Sequence, residues 1–164
     1  QYSIVDTTVG IPVENDSLAT KMVGFNVTSP TYLPQGYQVR LIKIAKNIPW
    51  VTIFASKYPL TNETTNEEFF YNDTGILITY SKLSDRALKD HQWMWPMATT
   101  IKKVTIDGFD AGIEGIRKGQ YNGYSYDQWA DLVLFKDKIL IGVRGFFSDD
   151  DLVKITKSML ENQK

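Results

Sequence analysis

The chain has 164 residues, 43% of them hydrophobic and 13% aromatic, enough apolar material to fill one sizeable core. Eighteen Lys and Arg against nineteen Asp and Glu give a net charge of −1 with no dense basic cluster, which argues against nucleic acid, whose phosphates need grouped cations. The absence of Cys removes disulfides and thiolate metal sites, and no stretch approaches the ~20 consecutive apolar residues of a membrane-spanning helix.

Residues 1–14 read as an extended arm, rich in β-branched residues but broken by Gly10 and Pro12. Tyr2, Ile4, Val5, Val9 and Ile11 can add a strand to an edge of this molecule or of a neighbour, a route to a homo-oligomer. The start at Gln1 rather than Met is read as a processed or trimmed end. A short helix is predicted from Ser17 to Val23, capped by Asp16 or Asn15, with Leu18 and Met22 on one face and Gly24 as its stop. Pro30 and Pro34 then force an extended ledge from Ser29 to Tyr37, since each proline fixes its own φ and pushes its predecessor out of the helical region. Gly36 supplies the turn.

Strands follow from β-branched and aromatic content with partial alternation at Gln38 to Ala45, Val51 to Tyr58 and Gly75 to Lys82. The polar connection between Tyr58 and Gly75 cannot bury much backbone, so Asn62 and Asn72 are expected at its surface. Ile101 to Ile106 and Phe109 to Ile116 form a hairpin on Asp107-Gly108, a dipeptide suited to the positive φ of a type I′ turn. A second hairpin joins Tyr126 to Phe135 with Ile139 to Phe146 around Lys136-Asp137-Lys138. The last helix is signalled by Ser148 with Asp151 three residues on, by the stripe Leu152, Ile155 and Met159 that Val153 and Leu160 widen, and by three aspartates at its positive end. The expected architecture is α+β: residues 15–164 as a single domain, a curved antiparallel sheet of about six to seven strands with a short N-terminal helix and a C-terminal helix.

Little of this sequence suits catalysis. A Ser-His or Cys-His nucleophile needs a base beside it, and His91 is the sole histidine in a chain without Cys. Neither Gly-rich phosphate loop is present. Two carboxylates could still work a glycosidic bond, but Asp149, Asp150 and Asp151 read as helix caps, and Asp107 and Asp110 as turn residues. His91, Met94 and Met97 offer one imidazole and two thioethers, a set that suits Cu(I), although Met fills irregular packing gaps so readily that packing is the preferred reading. No cofactor is expected.

The aromatic segments point instead to contact with a partner. Trp93 and Trp95 alternate across Met94, so an extended backbone sends both indoles to one side. Tyr121-Asn122-Gly123-Tyr124-Ser125-Tyr126 mixes the residue types of binding loops, and Phe69-Phe70-Tyr71 is a further aromatic run. Trp93, Met94, Trp95, Tyr121 and Tyr124 are therefore the candidate partner-binding residues. Four of the eight asparagines, Asn15, Asn26, Asn62 and Asn72, head glycosylation sequons, the pattern of a glycoprotein with an exterior surface.

The segment Ser29 to Tyr37 with the strand-like run after it, Gly75 to Tyr80, Val104 to Ala111, and Gly142 to Ser148 followed by the last helix resemble the family known as domain of unknown function 4367. The resemblance spans roughly residues 25–160. It implies a domain on the outer side of a bacterial or archaeal envelope, often behind an anti-sigma-factor-like membrane anchor, and a link to the curved sheets of lipoprotein carriers and sigma regulators. It implies no activity. The expected function is an extracytoplasmic, non-catalytic interaction module at the cell surface, pseudoperiplasm or periplasm, acting alone or as one subunit of an envelope assembly. The rivals are a lipid or hydrophobic-ligand carrier, a filament or lattice subunit using its N-terminal strand, and a polysaccharide-active enzyme.

Overall fold

The computed structural model describes residues 10–45, 47–64, 75–86, 101–161 and 163. In chain order the elements are β1 (Gly10–Val13), α1 (Asp16–Val23), β2 (Gln38–Ala45), β3 (Trp50–Ser56), β4 (Gly75–Lys82), β5 (Lys102–Ile106), β6 (Phe109–Glu114), β7 (Arg117–Tyr121), β8 (Tyr124–Gln128), β9 (Ala130–Lys136), β10 (Ile139–Gly145) and α2 (Asp149–Glu161). Eight strands form one sheet in the order β1-β2-β3-β4-β10-β9-β6-β5, and β7 and β8 form a separate two-stranded ribbon. Every described pairing is antiparallel. The fold is α+β, with a main sheet of eight strands rather than six to seven.

The extra strand comes from the arm. Gly10–Val13 lies against β2 with Gly10 opposite Ala45 and Val13 opposite Ile42. Pro12 is tolerated because β1 is an edge strand, where a missing N–H need not break a ladder. Gly10 is needed on packing grounds, since a Cβ there would come within 2.9 Å of the Ile44 carbonyl oxygen.

Alternation sends one set of side chains to a core shared with both helices. Ile42 and Ile44, Val51 and Ile53, Ile76 and Ile78, Leu132 and Leu134, Ile141 and Val143 meet Leu152, Ile155, Met159 and Leu160 of α2 and Ala19 of α1. Each such large side chain contributes about 1.5–3 kcal/mol on burial. The α2 stripe thus packs as its spacing predicts, and its buried Thr156 and Ser158 donate to the carbonyls of Leu152 and Ile155. Ser148 caps the helix, its hydroxyl accepting from the Asp151 amide at 3.2 Å. On α1, Asn15 rather than Asp16 is the cap, accepting from Leu18 N at 2.9 Å, and Gly24 ends the helix at φ 81°. Leu18 and Met22 share a face but stay exposed, and the buried residue is Ala19. Asp16 instead ties down the ledge by accepting from both the amide and hydroxyl of Ser29.

The opposite sheet face is also substantially buried. Leu41, Phe54 and Leu77 cluster there with Leu60. Register places Glu114, Asp131, Arg144, Leu77, Phe54 and Leu41 in one cross-sheet row, charged at one end and apolar at the other. Two buried faces explain why Val51 to Ser56 is buried without interruption. Among the described residues no helix is long and apolar enough to cross a membrane.

Candidate functional site

The charged end of that row is the base of the ribbon. In β6 and β9 Ala111 faces Leu134 and Glu114 faces Asp131; in β7 and β8 Arg117 faces Gln128 and Tyr121 faces Tyr124. The register is the same throughout, so residues 111–134 form one long hairpin whose ladder is interrupted at positions 115–116 and 129–130. Asn122 and Gly123, at φ 48° and 82°, make the tight turn at its tip. This corrects two expectations. The Tyr121 to Tyr126 segment is strand and turn rather than an irregular loop, and the strand expected from Tyr126 to Phe135 is divided between β8 and β9 at Trp129.

Arg117 fills the interruption. Its Nη1 donates to the carbonyls of Trp129 at 3.1 Å and Gly115 at 3.5 Å, groups near the break in the ladder. Its Nε lies 2.9 Å from Glu114 Oε1 and its Nη2 3.5 Å from Asp131 Oδ2. Arg144, across the sheet from Asp131, brings its Nε within 2.5 Å of Oδ1 as an ion pair, although the N–H is not aligned for a hydrogen bond. Burial pushes the Asp131 carboxyl above its ordinary range, and Arg144 and then Arg117 pull against that shift without reversing it. The two neighbouring carboxylates, Glu114 and Asp131, are thus both held by arginine. Such an arrangement clamps a joint more naturally than it transfers a proton.

Beyond the clamp the ribbon stands out from the sheet. Tyr124 is 77% exposed, Tyr126 44% and Ile116 51%. Lys118 and Asp127 pair across the strands, and the Tyr126 ring covers Gly119, where a Cβ would come within 2.4 Å of it. Glycine there gives the ring a flat bed. The result is a two-stranded arm carrying tyrosines and small polar groups on a fixed backbone.

Asn15, Asn26 and Asn62 are exposed. The Oδ1 of Asn15 is engaged in capping α1, and Thr28, the third residue of the Asn26 sequon, donates through its hydroxyl to the Met159 carbonyl at 2.9 Å. Asn72, Trp93, Met94, Trp95, His91, Met97 and Phe69-Phe70-Tyr71 lie outside the described residues. Among the described residues no group of three His, Cys, Asp or Glu could hold a metal ion. The buried Tyr80 phenol, pushed up to about 12 chiefly by burial, serves the core. It donates to the Thr28 carbonyl at 2.8 Å and receives Gln163 Nε2 at 3.3 Å.

Sequence reasoning missed the Glu114, Arg117, Asp131 and Arg144 constellation. The available signal was Asn122-Gly123, the strongest short hairpin dipeptide, with residues that pair symmetrically about it. No family model, curated protein or solved structure matches the chain. The resemblance to the domain of unknown function 4367 family therefore rests on the four sequence stretches alone.

Proposed function

We propose that the chain is a non-catalytic, extracytoplasmic interaction module that presents the β7–β8 ribbon to a protein partner, as a subunit of an envelope assembly. The observation that carries this reading is the exposure of Tyr124 and Tyr126 on a ribbon pinned at its base by Arg117. Exposed rigid rings cost hydration, and tyrosine gives much contact area for little lost side-chain entropy. A backbone already fixed by the turn and the clamp lowers the cost of binding further. The extracytoplasmic placement rests on the sequons and on the family resemblance.

A photo-crosslinking amino acid at position 124 tests this in the native envelope fraction. The expected result is a discrete protein adduct that is absent when the same group is placed at Lys57, an exposed position outside the ribbon. Equal labelling from both positions, or none from 124, contradicts it. A second reading, self-assembly through the N-terminal strand, draws support from β1, a short strand laid on the sheet edge where a strand from a neighbouring copy could pair instead.

A further inference from the structure

A separate feature lies at the end of the sheet where β4 and β9 finish and β10 begins. On the helix-side face, successive rows are apolar until the last. There Ile139 is flanked in register by Lys136 on β9 and Lys82 on β4. Cross-strand neighbours are separated by about 5 Å, so the lysine stems bracket one isoleucine. A third ammonium comes from Lys138, which sits at φ 68° in a turn whose other residue, Asp137, is at φ 50°. Left-handed backbone favours Gly or Asn, so lysine there stands at a conformational cost. The turn is tied down by Leu83 N donating to the Lys138 carbonyl at 2.9 Å.

These groups border a shallow cavity of about 470 Å³ lined by Phe25, Asn26, Ile139 and Gln163 together with the three lysines. Among the described residues lining it there is one carboxylate, Asp137. Lys136 is held in place, donating to Gln163 Oε1 at 2.6 Å and lying 5.4 Å from the Phe109 ring. Lys138 has only a long contact, 3.9 Å, to the exposed Asp85, and Lys82 has no ion-pair partner among the described residues. Among the described residues three cations and one anion leave a charge of about +2 around a concave surface with an apolar wall.

We propose that this cavity binds a phosphomonoester. Such a group carries about −1.5 to −2 charges at neutral pH, matching the excess here. Lysine serves as a point-charge phosphate ligand, whereas planar bidentate recognition of carboxylate draws on arginine, which does not line the cavity. Phe25 and Ile139 give the ester's organic part a surface to rest on. The phosphate can belong to a soluble ester or to a lipid headgroup.

Titration of the intact protein with glycerol phosphate, followed by amide chemical shifts, tests the site. Sedimentation with phosphatidic acid vesicles, against phosphatidylcholine vesicles, distinguishes the lipid source. The expected result is saturable binding in at least one arm, with shifts in the titration centred on residues 136–139 and an affinity that falls at least tenfold in the K82Q/K138Q variant. Both changes are at exposed side chains, and an unchanged circular dichroism spectrum confirms that the variant folds. K118Q, on the ribbon, should bind as the wild type does. Absence of binding in both arms, or equal binding by K82Q/K138Q, overturns the proposal. Neither outcome bears on the ribbon, because crosslinking at position 124 reads a different surface.

Discussion

Asp131 shows how one residue can be both essential to a joint and uncomfortable in it. Its carboxylate is buried between two arginines, yet burial outweighs them and holds its protonation above the ordinary range. A folded-state value raised over the unfolded one means that the folded chain retains the proton longer. The stabilisation from that proton is therefore complete below the unfolded value and is lost as pH rises through the folded one. The Tm of the wild type minus that of D131N should accordingly fall as pH rises through the carboxylate range. A value that rises instead would mean that the arginines dominate. Tyr80 obeys the same sign at the alkaline end, its contribution being full below about 10 and lost toward about 12. Y80F should lack that alkaline loss and, by removing the hydroxyl that bonds Thr28, should cost about 0.5–1.5 kcal/mol near neutral pH in a urea titration.

At the scale of elements, legibility followed the strength of local chemistry. Ser148 with Asp151, Gly24 after α1 and Asp107-Gly108 each fix backbone through a cap or a positive φ, and those elements lie where the sequence places them. N15A should therefore cost about 1 kcal/mol, read by thermal unfolding, because it removes the hydrogen bond to Leu18 N. The tyrosine ribbon was obscured because the residue types of a binding loop are also those of a tight hairpin, and its short strands lack an apolar face to signal period two. Strand β1 was obscured by Gly10 and Pro12, which read as breakers although an edge strand accommodates both. The clamp was hidden for another reason. Arg117 meets Arg144's partner Asp131 only through tertiary register, and nothing local to any of the three announces it. In R117A the carbonyls of Gly115 and Trp129 lose their donor, so hydrogen exchange should quicken in residues 117–128 while β4 and β10 stay protected.

The whole molecule is a sheet with unequal faces. Its helix side holds a continuous apolar core, and truncation there should be severe: I155A in the middle of the α2 stripe is expected to cost about 2–5 kcal/mol in denaturant unfolding. The other face grades from Leu41, Phe54 and Leu77 to the ion pairs at the ribbon base. The overall class was readable because alternation and helix periodicity agree with turn chemistry along most of the chain. Function was less so, since the indoles proposed for contact lie outside the described residues and the tyrosines proposed with them turned out to occupy a built ribbon. The constant register of that long hairpin offers a clean excision. Replacing residues 116–129 by Asn-Gly joins position 115 to position 130 through a two-residue turn and keeps β6 and β9 in their native pairing. The most direct measurement is whether this shortened protein, once shown to unfold cooperatively, still co-purifies with the partner that crosslinks to position 124. The account predicts that it folds and loses the partner; a folded shortened protein that keeps its partner would contradict it.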